Sequence, residues 1–156
     1  MAAKLGKQKT RFIIQRALQV GLPGLGKAGA LERRGYPPGQ HGHARRKLSG
    51  YSIQLREKQK LKFHYGLREE QLKRLVREAK RGKAHKTDTW MDRLVQDLEL
   101  RADNIVFRLG FARSIPAARQ LVRHGKVFVN GRKVSIPSQV LRVKDAVTLA
   151  PGTYTN

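Results

Sequence analysis

Residues 101–136 read RADNIVFRLGFARSIPAARQLVRHGKVFVNGRKVSI and carry successive signals for two helices and a hairpin. The first helix is marked by apolar residues at helical spacing, since Ile105, Val106 and Leu109 fall on one face. We expect that face to point inward and the helix to stop at Gly110, because glycine commonly follows the last turn of a helix.

A second helix follows, and both of its ends are marked in the sequence. Ser114 is a favoured N-cap residue, and Pro116 falls in the first turn, where a missing N–H costs little. Gly125 stands where a residue with left-handed backbone usually follows the last turn. The predicted inward face consists of Ala118, Leu121 and Val122.

The stretch KVFVNGRKVSI, residues 126–136, places apolar residues on both sides of Asn130-Gly131. Asn-Gly is a strong hairpin signal, because both central positions of a type I′ turn need positive φ. A last strand is predicted in AVTLA at 146–150. Residues 101–150 therefore predict a compact αα-turn-β module with a small twisted antiparallel sheet, and residues 151–156 a short tail.

Upstream of the module, residues 49–100 predict a small helical domain of three helices. Residues 51–63 contain good helix formers without Pro or Gly. In residues 68–81 a face with a clear 3.6-residue period consists of Leu72, Leu75, Val76 and Ala79. Thr89 and the two residues before it offer N-caps to the third helix. Its predicted apolar stripe is Trp90, Met91, Leu94, Val95 and Leu98.

Residues 1–48 predict an extended basic arm, so the fold class is α+β with this arm in front of two folded parts. Glu32 is the single acid among the first 47 residues, and several glycines and prolines interrupt any helix. One apolar patch, Phe12–Ile14 with Leu18 a turn later, predicts a short helix near residues 10–19. Low hydrophobicity and high charge would leave the rest disordered in isolation.

The chain of 156 residues carries 34 Lys and Arg against 11 Asp and Glu, a formal net charge of +23. Such a charge costs stability through self-repulsion, which a polyanionic partner would offset. Nucleic acid is the commonest such partner. A membrane surface is the rival, but no apolar run approaches the roughly 18 residues needed to span a bilayer, and no secretory signal is recognisable.

Enzymatic and metal sites are not indicated. With no cysteines, disulfides, thiolate ligands and cysteine nucleophiles are excluded. The glycine-rich GLPGLGKAG at 21–29 lacks the Ser or Thr that follows the lysine of a P-loop. His41 and His43 have no acid nearby to complete a metal site, so contact with RNA is the preferred interpretation. No catalytic residue, cofactor, metal or small-molecule substrate is predicted, and Asp97 and Glu99 are interpreted as solvated surface.

The outward face of the second module helix is basic. Arg119 and Arg123 are one turn apart, and no acid occurs between Arg113 and Lys144. Backbone N–H groups attract phosphate at the helix N-terminus, and arginine suits bidentate phosphate recognition. A solvated basic face would normally carry interspersed acids, so we expect Arg119 and Arg123 to be exposed and to bind phosphate. The residues assigned to this face are Arg113, Ser114, Arg119, Gln120, Arg123, His124 and Lys126.

Three motifs resemble one known family. The module sequence, residues 101–138, is similar to the RNA-binding domain named after small-subunit ribosomal protein four, which also occurs in pseudouridine synthases, tyrosyl-tRNA synthetases and a small heat-shock protein. Upstream, the stretches ALERRGYPPGQHG at 30–42 and YSIQLREKQKLKFHYG at 51–66 resemble segments of the ribosomal protein family itself, of the bacterial and organellar type.

The resemblance implies a structural constituent of the small ribosomal subunit that binds small-subunit ribosomal RNA at a helix junction and nucleates assembly of the subunit body. It also implies neighbouring ribosomal proteins near the path by which mRNA enters, and a place in the cytoplasm or, alternatively, in an organelle. Two rivals remain. A free-standing RNA chaperone would not need the two upstream motifs, and an RNA-modifying enzyme would need a catalytic domain for which no room is left.

In this interpretation RNA orders the arm. Tyr36 and Tyr51 stack on exposed bases or sugars, and the histidines bond to phosphate or 2′-hydroxyl groups. The cations neutralise backbone charge. The predicted RNA contacts outside the second module helix are Tyr36, Gln40, His41, His43, Arg45, Arg46, Lys47, Tyr51, Arg56, Lys58, Lys60 and Arg132.

Two departures limit what the resemblance implies. Some family members carry a four-cysteine zinc knuckle in the arm, with one ligand directly before ALERR, whereas this chain has Gly29 there, so zinc is not expected. Family members also commonly continue past the module with a segment that packs on the helical domain, whereas this sequence stops at Asn156. We therefore expect either a short member or a truncated one.

Overall fold

The computed structural model describes residues 11–26, 29, 31–32, 34–44, 47–81 and 89–153. These residues form an α+β structure, as the sequence predicts, and a 3₁₀ turn at Pro23–Leu25 follows the first helix. The helices and strands are α1 Arg11–Leu18, α2 Gly50–His64, α3 Glu69–Arg81, α4 Trp90–Glu99, α5 Ala102–Arg108, α6 Ile115–Arg123, β1 Val127–Val129, β2 Arg132–Val134 and β3 Val147–Leu149. No helix in this part of the chain is long and apolar enough to cross a membrane.

The three strands form an antiparallel sheet in the order β2-β1-β3, covered by α5 and α6. Asn130 and Gly131 have φ of +50° and +76°, so the predicted hairpin turn is confirmed. The fully buried centre of this core consists of Ala102, Val106, Ala118, Val122 and Val127. Leu109 was expected inward but is 51% exposed, because α5 ends at Arg108 and the chain turns away.

The ends of α6 confirm the local signals. The hydroxyl of Ser114 accepts a hydrogen bond from the backbone N–H of Ala117 at 3.3 Å, as an N-cap does. Gly125 follows the helix with φ of +64°. Together these two residues fix the length of α6 and therefore the set of side chains that it presents outward.

A second core joins α3 and α4 to the start of α6. Thr89 caps α4 through a reciprocal pair of hydrogen bonds with Asp92, and the buried residues are Tyr65, Leu67, Leu72, Ala79, Leu94, Leu98 and Ile115. The predicted stripe of α4 is only partly correct, since Trp90, Met91 and Val95 are exposed. In the part of the chain that the structure describes, the helix packs mainly on α3 and α5, and only a narrow strip, Leu94 and Leu98, is buried.

The N-terminal segment packs more closely than the sequence predicts. The short helix expected near residues 10–19 is confirmed as α1, but residues 20–26 after it are packed against the protein rather than extended. A third cluster of buried residues consists of Ile14, Leu18, Leu22 and Leu25, with Phe63 of α2 packed against it. Gln15 reinforces this cluster, because its side-chain oxygen accepts a hydrogen bond from the N–H of Leu22 at 3.2 Å.

Candidate nucleic-acid interface

Exposed cations without an ion-pair partner among the described residues lie on α6 and just beyond its two ends. Arg113, Arg123 and Lys126 are exposed, and among the described residues none of them forms an ion pair. Gln120 and His124 are exposed between them. Arg132, on the adjoining strand β2, is exposed as well. Since the helix is fixed on its inner side by an apolar core, these side chains form a positive surface on a packed support.

Arg119 does not belong to that surface. The expectation that it is exposed is wrong, because its side chain is only 24% exposed and points into the protein. Its Nε and NH2 donate to Asp103 at 3.1 and 2.7 Å, and NH1 and NH2 donate to the carbonyls of Gly66 and Tyr65 at 2.9 and 3.1 Å. The residue lies one position after buried Ala118, at the edge of the inward face, which places the guanidinium against the neighbouring elements.

Ser114 is also turned away from solvent. It is buried, and its hydroxyl already serves as the N-cap of α6. The predicted phosphate face therefore loses two of its seven members as exposed groups and retains the other five.

The loop that contains Tyr36 and His43 is folded on itself. The two rings lie 3.7 Å apart between centroids at an interplanar angle of 37°. Gly39, with φ of +112°, provides a turn that the hydrogen bond from Gly42 N–H to Gly39 O closes at 3.1 Å. Gln40 and His41 are exposed at the tip. This loop therefore has its own turns and a ring contact, and does not depend on RNA for all of its order.

The remaining predicted arm contacts differ in their surroundings. Lys47 is exposed, and Tyr51 is 74% exposed, so its ring is open to a stacking partner. Arg45 and Arg46 lie outside the described residues. The predictions for these four residues stay predictions.

The cations of α2 are partly compensated within the protein. Lys58 pairs with Glu69 at 2.7 Å, and Lys60 pairs with Glu57 at 2.6 Å. The hydrogen bond from Lys58 is the main reason that the pKa of Glu69 is lowered. Arg56 NH1 lies 3.5 Å from the side-chain oxygen of Gln19. These three cations are therefore less available to phosphate than the unpaired ones of α6.

The interpretation of Glu99 as a solvated surface residue is wrong. It accepts hydrogen bonds from the hydroxyl of Tyr65 at 2.6 Å, from Asn104 Nδ2 at 2.8 Å and from Arg108 NH2 at 2.8 Å. Burial acts to raise the pKa of this carboxyl, but the donors outweigh burial and the pKa is lowered. The residue ties the end of α2 to α4 and α5.

Asp103 is a second acid with a structural role. Asp103, 1% exposed, lies between the guanidinium groups of Arg101 and Arg119. The composition indicates such pairing, because in a chain with 34 Lys and Arg against 11 Asp and Glu a buried carboxylate has many cations with which it can pair. Within the described ranges no group of three or more metal-ligating side chains is present.

Comparisons with known proteins identify both folded parts. The family model described as "Ribosomal protein S4/S9 N-terminal domain" matches residues 6–96, and the model described as "S4 domain" matches residues 100–147. Small ribosomal subunit protein uS4B of Bdellovibrio bacteriovorus is 63% identical over 146 residues, which are 94% of this chain and 69% of that protein.

Other relatives are similar over a smaller share of their length. Small ribosomal subunit protein uS4 of Cyanothece sp. is 59% identical over 121 residues, 78% of this chain and 57% of that protein. The uS4 protein of Methylobacillus flagellatus is 50% identical over 141 residues, 89% of this chain and 66% of that protein. The chain thus spans roughly three fifths to two thirds of these relatives. Since the first family model covers more than half of the sequence and the relatives match at 50% identity or more, the chain belongs to the ribosomal protein S4 family.

Proposed function

We propose that the chain is a non-enzymatic, structural constituent of the small ribosomal subunit that binds small-subunit ribosomal RNA and nucleates assembly of the subunit body. The observation that carries the proposal is the set of exposed cations on α6 and at its two ends, Arg113, Arg123 and Lys126, with no carboxylate paired to them among the described residues. Membership of the S4 family and the similarity to proteins named small ribosomal subunit protein support the same conclusion.

Binding by this face is electrostatic and shape-dependent. Each Lys or Arg that contacts a phosphate releases condensed counterions, which makes affinity fall with salt. Arginine presents a planar fork that fits phosphate oxygens, and Arg123 carries that fork at the end of a helix whose inner residues Ala118 and Val122 are fully buried. Arg113 carries a second fork just before the N-cap of the same helix. Cations held on a folded support fit one arrangement of phosphates better than others, and this favours a defined helix junction over single strands.

The loop at residues 36–44 extends the contact. Gln40 and His41 at its tip are exposed donors and acceptors for phosphate or 2′-hydroxyl groups, and Tyr51 beyond it offers a ring for stacking. Because the loop already contains closed turns, less conformational entropy is lost when RNA binds than for an extended chain. The proposed surface thus combines a rigid helix with a partly preformed loop.

The proposal includes the surroundings of the bound chain. Neighbouring small-subunit ribosomal proteins near the path by which mRNA enters are the proposed protein partners, and the cytoplasmic ribosome is the proposed location, with an organellar ribosome as the alternative. The exposed apolar side chains of α4, Trp90, Met91 and Val95, are compatible with a further protein contact.

Chemical footprinting of a small-subunit ribosomal RNA transcript with the purified chain tests the proposal. We expect discrete protection at one multi-helix junction in the absence of other proteins. Diffuse protection that disappears at moderate salt would instead indicate general RNA binding and would contradict the proposed role in nucleating assembly.

The α6 face is tested by Arg123→Gln in a salt titration of RNA affinity. Loss of one phosphate contact makes the negative slope of log affinity against log salt less steep by roughly 0.7–0.9. Arg74→Gln is the matched control, since Arg74 is exposed on α3 and already paired with Glu78. If both variants changed the slope equally, net charge rather than the α6 face would govern binding.

A further inference from the structure

Asp103 is the most deeply buried acid in the described part of the chain. Its Oδ1 and Oδ2 accept hydrogen bonds from Arg101 Nε and NH2, each at 3.0 Å. Arg119 donates to Oδ2 through both Nε and NH2. One carboxylate at the start of α5 is thus held by one guanidinium from its own segment and by another from α6.

The same guanidinium of Arg119 reaches a third element. NH1 donates to the carbonyl of Gly66 and NH2 to the carbonyl of Tyr65, in the turn between α2 and α3. With these bonds four of the five N–H donors of the side chain are engaged inside the protein. A phosphate would find one free donor at most, so the bidentate contact by which arginine usually binds phosphate requires that internal bonds of Arg119 break.

The turn at Tyr65 and Gly66 is held from a second side as well. The hydroxyl of Tyr65 donates to Glu99 at the end of α4 at 2.6 Å. Gly66 has φ of +61°, and a Cβ added there would crowd the guanidinium of Arg119. The chain therefore builds a close and specific contact between the helical part and the α5–α6 pair at this point.

We propose that Asp103 and Arg119 are positioning residues for RNA binding, which fix the α2–α3 turn on α6 so that cations on both sides meet one RNA surface in a set geometry. The inference rests on the proposed function. On the α3 side the exposed Arg68 follows the turn directly, and on the α6 side Arg123 lies one helical turn beyond Arg119. Preorganisation of two such groups increases affinity, because less freedom is lost on binding.

Removal of a negative charge distinguishes a positioning role from a purely electrostatic one, because the two roles predict opposite changes in RNA affinity. Asp103→Asn removes a negative charge from a strongly basic protein, so electrostatics alone predicts tighter RNA binding. Positioning predicts weaker binding, because the neutral amide cannot accept from two guanidinium groups as the carboxylate does. Asp97→Asn, on α4, is the matched control with the same change in charge, since within the described part of the chain Asp97 forms no hydrogen bond or ion pair with Arg119.

The experiment measures the affinity of the full chain for a small-subunit ribosomal RNA transcript at a temperature where circular dichroism shows each variant folded. We expect Asp103→Asn to bind about tenfold more weakly than wild type, and Asp97→Asn to bind equally or slightly more tightly. Wild-type affinity for Asp103→Asn would overturn the inference. Failure of the wild-type chain itself to bind would overturn the proposed function first.

Arg119→Lys provides a second, milder variant. Lysine keeps the charge and binds phosphate as a point charge, but it lacks the fork that serves one carboxylate and two carbonyls together. Positioning predicts a loss of affinity similar to that of Asp103→Asn and faster hydrogen exchange at the amide of Leu67, which closes the turn onto Lys62. Wild-type affinity for Arg119→Lys, with a lower salt slope for Arg119→Gln, would show direct contact and overturn the inference.

Discussion

A single carboxylate, that of Glu99, accepts hydrogen bonds from three side chains in two parts of the chain. Tyr65 approaches from the end of α2, and Asn104 and Arg108 approach from α5. Burial alone would raise the pKa of Glu99, and the three donors reverse that effect and lower it. The charged form is therefore favoured in the folded protein, and folding should depend on pH through this residue.

We predict that Glu99→Gln weakens the acid sensitivity of the fold. A carboxyl whose folded pKa is lowered stabilises the protein above its unfolded pKa, near 4.5, and the stabilisation is lost as pH falls through the folded pKa. The variant should be less stable at pH 7 by about 1 kcal/mol, the low end for hydrogen bonds to a charged group that is partly open to water. This difference should shrink below about pH 4.5.

Thermal denaturation of both proteins between pH 7 and pH 3 measures this effect. Glu78→Gln is the control, because within the described ranges the ion pair of Glu78 is an exposed i,i+4 pair with Arg74. A difference between wild type and Glu99→Gln that stays constant over the whole range would show that the charge of Glu99 does not matter.

Such residues could not be predicted from the sequence, for a physical reason. Arg119 has its partners 16, 53 and 54 positions away along the chain, and Tyr65 and Glu99 are separated by 34. Helical spacing identifies which side of α6 faces outward, but it does not reveal which element covers the edge. The prediction that Arg123 is exposed is correct, because the exposure of a residue on the outward face depends on the direction of that face and not on a neighbouring element.

At the scale of elements, the turn of the β1–β2 hairpin is held through Asn130. Beyond the positive φ values of Asn130 and Gly131, the side chain of Asn130 accepts from Ala146 N–H and donates to Asp145, each at 2.9 Å. Hydrogen bonds from the N–H of Arg142 and from Asn130 lower the pKa of Asp145. The turn thus also sets where β3 joins the sheet.

We predict that Gly131→Val destabilises the protein by about 1–3 kcal/mol, because a β-branched residue resists positive φ. An added Cβ would meet nothing within 4 Å at this position, so the cost is conformational rather than steric with a neighbour. Gly21→Val is the matched control, since its Cβ would also meet nothing and its φ is not positive. Equal melting temperatures for the two variants would contradict the turn.

Element boundaries followed well from the sequence because their signals are local. Thr89 and Ser114, both expected as N-caps, each accept from the N–H three residues later, and Gly125 follows α6 with positive φ. Ser49 caps α2 in the same way, although it was not predicted as an N-cap. The exposure of Trp90 was not foreseen, since an apolar period shows which face is able to pack but not how many neighbours reach it. The RNA contacts and the domain boundaries after residues 48 and 100 stay predictions.

At the scale of the whole molecule, the three buried clusters are linked rather than separate. Phe107 packs against both the module core and the α3–α4 core, and Ile115 at the start of α6 lies within the latter. The 3₁₀ turn at Pro23–Leu25 contacts α2 and α6, and a Cβ on Gly26 would collide with the backbone of Arg113. The segment 11–26 is therefore part of the packed structure.

We predict that Leu18→Ala lowers the free energy of unfolding by about 2–3 kcal/mol, because the side chain is 4% exposed and its removal leaves a cavity against Phe63. Leu61→Ala, the same change in a helix at a position 38% exposed, should cost less than about 1 kcal/mol. Urea denaturation without RNA measures both. If Leu18→Ala left the free energy of unfolding unchanged, and the amides of Leu22 and Gly26 exchanged without protection, this segment would pack only when RNA is bound.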